Sequence, residues 1–484
     1  MDAYDVIRIS FLGIFAVLLS VNLAQVHHTD AVGDQQGRAV RYAPFVVHLV
    51  LPAAMAAWVV TEALFGTLTS DYLGALLGLN FQIFLSASVY FVVLLMLLPW
   101  LRRTISARTC GFLWLMPTFL YVAYYNFTRL QAPWVILRLP EGWLMPLLAV
   151  WGLGTAAVLA LSVVRHLGYR RDVLGAARPV EDPDILEVWT SEQRRAGRKR
   201  DCPLLVSSAL TTPLSIGLFH RSIRVVLPER EYQRRDLQLI LRHEVVHLCR
   251  LDNWNKLFLT VCTALFWFNP LMWMARNRCS EDLELSCDET VLLDADRDIR
   301  TRYAQLLLTT AGEARGFTTC LSASAQSLRY RLKAVVSPVK RSLGGAALEA
   351  AFLVLALPFG GVTVSLQHGT LGELALTGTP ELEQLRVYQY PAELPDNRVE
   401  IQDPAAVWQW LQGLEVDRVA GLYETDREDE QLQVGFTMDG QAYWLNLGEG
   451  AVVLRRDRGE ERVFFLGPAA PRGTGTSSPP VSHR

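Results

Sequence analysis

Long apolar runs dominate the first three quarters of the chain, and each is long enough to cross the hydrocarbon core of a bilayer as a helix. There are six of about twenty residues: Val6–Gln25, Phe45–Phe65, Leu77–Trp100, Thr109–Thr128, Trp143–Val164 and Leu343–Leu366. No convincing small-residue cleavage site follows the first run, which we interpret as a retained anchor. The pattern predicts a membrane domain of about five spans over 1–164 and a last span over 343–366.

Arginine in the connecting loops predicts the orientation of these spans, because cytoplasmic loops are enriched in Lys and Arg. The basic connections follow the first, third and fifth runs, and the loop after the second run carries no Lys or Arg. We therefore expect a multi-pass protein of the cell membrane with its N-terminus outside. Residues 165–342 would then lie in the cytoplasm and the C-terminal region outside.

Composition narrows the class of protein. The chain has 484 residues, of which 51% are hydrophobic and 19% charged, less than the ~25% usual in soluble domains. A net charge of −2 gives no field that would attract nucleic acid, so we expect no direct nucleic-acid binding. The seven cysteines are irregularly spaced and none lies beyond residue 320, which argues against a disulfide framework. We therefore expect the middle of the chain to lie in a reducing compartment.

The segment Asp236–Arg250 reads D-L-Q-L-I-L-R-H-E-V-V-H-L-C-R, with apolar residues at helical spacing. His243 and His247 are four residues apart, so both imidazoles lie on one face of the helix and can reach one metal ion. Glu244 lies beside them, where it can hold a metal-bound water. This H-E-x-x-H pattern predicts a zinc site.

A catalytic zinc usually has a third protein ligand, which must come from elsewhere in the chain. The acidic segment 280–289 places Glu281, Glu284 and Asp288 on one face of a helix. One carboxylate can bind the metal while another orients an imidazole. Cys287 and Cys249 are rival ligands, and residue chemistry favours Glu284.

Between these two groups lies Leu257–Ala275, 19 uncharged residues that could be taken for another span. A single crossing would separate His243 and His247 from Glu284, so the segment must fold back. Asn269-Pro270 supplies the break, since Asn caps helices and Pro fits their first turn. The sequence predicts an apolar helix Trp254–Phe268 and a second helix from Pro270. Whether this hairpin enters the membrane or packs against the spans stays open.

Together these motifs resemble the membrane zinc metallopeptidases typified by the BlaR and MecR antirepressors. The shared order is a strand ending in Leu227-Pro228, H-E-x-x-H, R-x-D at Arg250–Asp252, F-N-P at Phe268–Pro270 and E-x-x-C-D at Glu284–Asp288. The resemblance implies zinc ligands His243, His247 and Glu284, with Glu244 as general base and Asp288 supporting an imidazole.

The chain departs from those sensors in its outer region. A penicillin-binding domain needs an S-x-x-K nucleophile, and no lysine follows Lys340. Residues 367–466 instead predict a small α+β domain outside the cell. A helix starts at Asp403-Pro404, and strands follow over 432–438, 451–454 and 463–466 with a hairpin turn at Asp439-Gly440. The Pro/Gly/Ser-rich tail 467–484 is predicted to be disordered.

The fold predicted from the sequence is thus a polytopic α-helical membrane protein. It carries a mainly α (α+β) zinc metallopeptidase domain over 165–342, where Leu204–Ser207 and Ile223–Leu227 form short strands, and a small extracytoplasmic α+β domain. The expected function is a zinc endopeptidase that cleaves a protein substrate, by resemblance a cytoplasmic repressor or the protein itself, in response to an outer signal. The alternatives are a non-proteolytic receptor with a structural metal and a housekeeping membrane protease.

Overall fold

A computed structural model describes residues 70–120, 135–140, 142–198, 200–293, 295–313, 325–336, scattered positions between 347 and 354, 362–389, 398–419, 430–448, 450–456 and 461–466. The predicted spans Val6–Gln25 and Phe45–Phe65 and the tail 467–484 lie outside these ranges. Contacts group the described residues into two compact units. Among the described residues, one comprises those within 87–120 and 150–354, and the other those within 70–86, 135–149 and 362–466. The domain ranges drawn from the sequence stay predictions.

Two described helices are long and apolar enough to cross a membrane. Helix α1, Ser70–Thr104, contains the predicted run Leu77–Trp100, and helix α3, Leu144–Gly175, contains most of the run Trp143–Val164. The most apolar stretch of α3 is nowhere buried within the protein. These two runs are therefore confirmed as helices.

Two other apolar runs differ from the sequence prediction. The run from Thr109 begins in helix α2, Ala107–Leu113, which is followed by a 3-10 turn over Met116–Phe119. Pro117 lies in that turn and has no N–H to continue an α-helix. The rest of this run lies outside the described residues. At the other end of the chain, strand β6 already begins at Val362, so the prediction of a span reaching Leu366 was wrong.

The first unit contains a small sheet and a group of helices. Strand β2 (Ala177–Pro179) pairs with β3 (Leu204–Ser207), which pairs in parallel with β5 (Arg224–Pro228); β4 (Leu214–Ile216) forms the other edge. Val225 and Leu227 of β5 are fully buried against helix α4 (Pro183–Arg195) and the helix that follows the sheet. The strand β4 was missed because three residues between turns carry little pattern.

The three helices predicted around the histidines are confirmed. The histidine helix α5 spans Arg234–Arg250, the apolar helix α6 spans Asp252–Leu265, and the glutamate helix α7 spans Pro270–Val291. Leu251 has a left-handed backbone (φ 56°), which ends α5 and turns the chain into α6. Asn269 caps α7 by accepting a hydrogen bond from the backbone N–H of Leu271. Helices α8 (Arg297–Glu313) and α9 (Ala325–Val336) complete this unit.

The second unit is built on a nine-stranded sheet in the order β1-β6-β9-β13-β12-β11-β10-β7-β8. These nine strands are β1 (Val135–Arg138), β6 (Val362–Thr370), β7 (Arg386–Gln389), β8 (Arg398–Val399), β9 (Glu415–Val419), β10 (Glu430–Met438), β11 (Gln441–Gly448), β12 (Ala451–Arg456) and β13 (Glu461–Leu466). A short helix α10 (Leu371–Leu374) follows β6. Helix α11, Pro404–Gln412, packs Val407, Trp408 and Leu411 into the core.

The predicted meander at the C-terminal end of the chain is confirmed within this larger sheet. Met438 pairs with Gln441, so Asp439 and Gly440 form a two-residue turn in which both backbones have positive φ (49° and 73°). The sequence did not show that β1 pairs in parallel with β6, because residues 139–361 separate these strands in the chain.

Candidate metal centre

The two histidines of the H-E-x-x-H motif converge on one point. Residue spacing of four on α5 places His243 and His247 one turn apart, and their rings meet edge to face with centroids 4.6 Å apart. The Nε2 atoms are 3.0 Å apart. Both side chains are largely shielded, with 14% and 9% of their side-chain surface exposed. The pair therefore presents two nitrogen donors to the same small volume.

Glu284 completes a triangle with these nitrogens. Its Oε2 lies 3.5 Å from Nε2 of His243 and 3.5 Å from Nε2 of His247. Donor atoms that share one tetrahedral zinc at about 2.0–2.2 Å lie roughly 3.3–3.5 Å from one another. The two distances to Glu284 match that spacing, and the 3.0 Å between the two Nε2 atoms is slightly shorter, so the residues present fit a zinc ion.

Cys287, one helical turn beyond Glu284, also contacts His243. Its Sγ is 3.3 Å from Nδ1 of His243, whereas Oε2 of Glu284 lies near both Nε2 atoms. Ligand atoms of His243, His247 and Cys287 can nevertheless be chosen within 4.8 Å of one another, and the thiol is buried. Whether Glu284 or Cys287 is the third ligand therefore depends on which ring nitrogen of His243, Nε2 or Nδ1, faces the metal.

A carboxylate supports His247 on the side away from the triangle. Nδ1 of His247 is 2.6 Å from Oδ2 of Asp252, in the first turn of α6. The other oxygen of Asp252 accepts a hydrogen bond of 2.9 Å from Asn255. Such a contact fixes the tautomer and the orientation of a metal-binding imidazole. The sequence analysis placed Asp252 in the R-x-D motif but gave it no role. Helical spacing did not predict its contact with His247, because a helix break separates the two residues.

His243 is supported through a tyrosine. The hydroxyl of Tyr303 on α8 lies 2.9 Å from Nδ1 of His243 and donates a 2.7 Å hydrogen bond to Asp288. Arg331 on α9 donates two hydrogen bonds, of 2.6 and 2.8 Å, to the same carboxylate. Asp288 is itself 3.5 Å from His243. The structure thus brings Asp288 to the predicted imidazole, and adds Tyr303 and Arg331, which the motifs gave no signal for.

The remaining candidates take different positions. Glu244 is 5% exposed and adjoins His243 on α5. Glu281 faces away from the histidines and accepts hydrogen bonds from Arg102 and Arg278. Cys249, half-buried, is packed against the core formed by the sheet and α5. Of the predicted carboxylates, Glu284 and Asp288 therefore lie at the histidines and Glu281 does not.

The charged groups around the two histidines favour a positive charge between the imidazoles and Glu284. Burial by itself lowers the pKa of His243, but the nearby Cys287 and Glu284 outweigh it and raise the pKa to about 10. Burial raises the pKa of Glu284, whereas the charge of His247 and hydrogen bonds with both imidazoles hold it well below its usual value. A divalent cation complements such an excess of negative charge.

The geometry defines a class: a His-His-carboxylate centre on an H-E-x-x-H helix is the arrangement of a metallopeptidase. Residues 135–335 match the family model described as BlaR1 peptidase M56. The match covers less than half of the chain and confirms the resemblance to the BlaR/MecR-type family seen in the motifs.

Curated relatives agree with this assignment. The chain is 24% identical over 258 residues to the regulatory protein BlaR1 of Bacillus licheniformis, which is 53% of this chain and 41% of that relative. It is 29% identical over 114 residues to the methicillin resistance mecR1 protein of Staphylococcus aureus, 23% of this chain and 19% of the relative. The chain thus spans less than half the length of these curated relatives.

Proposed function

We propose that this protein is a zinc-dependent endopeptidase of the cell membrane that cleaves a cytoplasmic regulator or itself. The observation that carries the proposal is the triangle of His243, His247 and Glu284, in which the nitrogens facing away from the centre are backed by Asp252 and by Tyr303. The match to a peptidase family supports it. The similarity to a regulatory protein, BlaR1 of Bacillus licheniformis, supports a signalling role.

In this proposal His243, His247 and Glu284 hold the zinc ion. When bound, zinc polarises the scissile carbonyl and lowers the pKa of a water molecule. Glu244 accepts a proton from the attacking water and passes it to the leaving amine. Asp252 and Tyr303 keep the two imidazoles oriented, and Asp288 and Arg331 hold the hydroxyl of Tyr303 in place.

A strand edge lies near this centre. The side-chain amide of Asn253, next to Asp252, donates hydrogen bonds to the carbonyl oxygens of Ser215 (3.3 Å) and Gly217 (2.8 Å). These contacts fix strand β4, the edge of the small sheet, beside the junction of α5 and α6. A peptide substrate can bind in extended form along such an edge.

The membrane location rests on the two long apolar helices and on the arginine pattern. We propose that the peptidase segment faces the cytoplasm and the nine-stranded unit the outside, as the loop charges favour. The outer unit then supplies the surface on which a signal acts. Under this arrangement the protein has the lipid bilayer as a second partner beside its substrate.

Replacing Glu244 by Gln tests the peptidase. The variant keeps the size of the side chain and loses the proton acceptor, so it should retain zinc while hydrolysis falls about 10²–10⁴-fold. The full chain in lipid nanodiscs, loaded with zinc, is assayed for self-cleavage and for cleavage of an unfolded protein substrate. The matched control is Glu187→Gln on the exposed side of α4, which should cleave normally. Full activity in Glu244→Gln would contradict the assignment of the base.

A further inference from the structure

The turn between the apolar helix and the glutamate helix exposes large apolar side chains. We call residues 266–274 the hairpin tip. Within it Phe268, Trp273 and Met274 are 46%, 40% and 49% exposed. The surrounding segment from Leu257 to Ala275 contains no charged residue. A water-facing turn would carry polar residues instead, because exposed apolar clusters mark contact with lipid or protein.

The tip packs against helix α3. The indole N–H of Trp151 donates a 2.7 Å hydrogen bond to the carbonyl oxygen of Leu265, and that of Trp267 donates a 3.3 Å bond to the carbonyl of Trp151. The Trp267 ring approaches Gly154 so closely that a Cβ there would lie 2.2 Å from it. Glycine at 154 therefore permits this contact between the tip and the apolar helix.

The tip also contacts helix α1. The side-chain amide of Asn269, which caps α7, donates a 3.0 Å hydrogen bond to the hydroxyl of Ser88. Ser88 lies within the apolar stretch Asn80–Thr104. The hairpin tip thus contacts both of the described helices that are long and apolar enough to cross a membrane.

Distances along these helices give the depth of the tip. Ser88 precedes Arg102, and Trp151 precedes Arg165, by fourteen residues in each case. At 1.5 Å per residue both anchors lie about 21 Å from the first arginine that follows them in their helix. The hydrocarbon core of a bilayer is about 30 Å thick. If these arginines mark the polar boundary, the tip lies more than halfway through the core.

The base of the hairpin lies at the same polar boundary. Arg102 donates a 2.8 Å hydrogen bond to Asp282 on α7, two residues before Glu284. Lys256, the last charge before the apolar segment, lies 3.8 Å from Glu284. The charged residues of three separate helices therefore meet at the level of the metal centre, about 20 Å from the tip.

We propose that residues 257–275 form a re-entrant hairpin that enters the bilayer beside α1 and α3 and returns, with the hairpin tip in contact with lipid acyl chains. This places the metal centre at the membrane surface. Arg276, on the returning helix, lies closest to the tip of all charges in this region, and its long side chain can extend toward the boundary. The inference rests on the membrane location in the proposed function, and not on the peptidase chemistry.

Depth-dependent fluorescence quenching tests the hairpin in the full chain. A cysteine replaces Trp273 or Phe268 in a background in which Cys249, Cys262 and Cys320 are changed to alanine, and each new cysteine is labelled with the fluorophore NBD. The other four cysteines are buried and are kept: Cys110, Cys202, Cys279 and Cys287. Ile299→Cys is the matched control, because Ile299 is 39% exposed on α8 among charged neighbours. The protein is reconstituted in phosphatidylcholine vesicles with or without nitroxide-labelled acyl chains, and aqueous iodide is the second quencher.

The hairpin predicts at least a threefold loss of fluorescence by acyl-chain nitroxide at positions 273 and 268, with little effect of iodide. Position 299 should respond in the opposite way. Strong iodide quenching at the tip, or protection from both quenchers as under a second copy or a protein partner, would overturn the proposal. Zinc content of each labelled protein confirms that the site is folded. If the tip is protected by lipid but the protein has no peptidase activity, the proposal of the re-entrant hairpin is supported and only the proposal of peptidase activity is refuted.

Discussion

The choice between Glu284 and Cys287 as the third ligand gives the sharpest test of the site. Oε2 of Glu284 is equidistant, at 3.5 Å, from the two facing Nε2 atoms, whereas Sγ of Cys287 lies beside Nδ1 of His243. Zinc sites of about four ligands bind with roughly 10–16 kcal/mol, so one ligand is worth about 2.5–4 kcal/mol. Loss of Glu284 as a ligand should therefore raise the Kd of zinc about 10²–10³-fold.

The experiment compares zinc affinity in Glu284→Gln, Cys287→Ser and Glu281→Gln, measured in the purified full chain by competition with a chromophoric chelator. Glu284→Gln should give the large loss, and Cys287→Ser less than about threefold, because Ser replaces a group outside the triangle. Glu281→Gln is the control on the same helix, since its carboxylate contacts Arg102 and Arg278 instead of the histidines. A larger loss in Cys287→Ser than in Glu284→Gln would refute the assignment, as would equal losses in Glu284→Gln and Glu281→Gln.

Two further predictions concern the residues that support the histidines and the nine-stranded sheet. Asp252→Ala removes the carboxylate 2.6 Å from Nδ1 of His247 and should raise the Kd of zinc about 10–100-fold. The control Asp296→Ala, at the surface, should leave this Kd unchanged. Equal affinity in the two variants would show that Asp252 does not orient the imidazole. Gly440→Ala places a Cβ on a backbone with φ 73° and should lower the stability of the β10–β11 hairpin by about 1 kcal/mol. The amides of β10 and β11 should then exchange hydrogen roughly fivefold faster. Unchanged exchange would contradict the strain expected at this turn.

Local patterns determined much of this protein. The spacing of His243 and His247 places both on one helix face whatever surrounds the helix, because 3.6 residues make a turn. Asn269-Pro270 ends one helix and starts the next through capping and a fixed backbone angle, and both act within two residues. For the same reason the turn at Asp439-Gly440 was predicted from two residues alone. In each case the determining interactions are short in sequence.

Tertiary structure decided which groups meet around those local elements. Tyr303 reaches His243 across 60 residues, and Arg331 reaches Asp288 across 43, so neither leaves a periodic signal in the sequence. The approach of Trp267 to Gly154 likewise depends on the packing of two helices that are separated in the chain. Spacing offered Glu281 and Glu284 alike as candidates; only the packing of α7 turned Glu284 to the histidines and Glu281 to Arg102. The sequence determined the donors on each helix, and the packing of the helices determined which donors share a site.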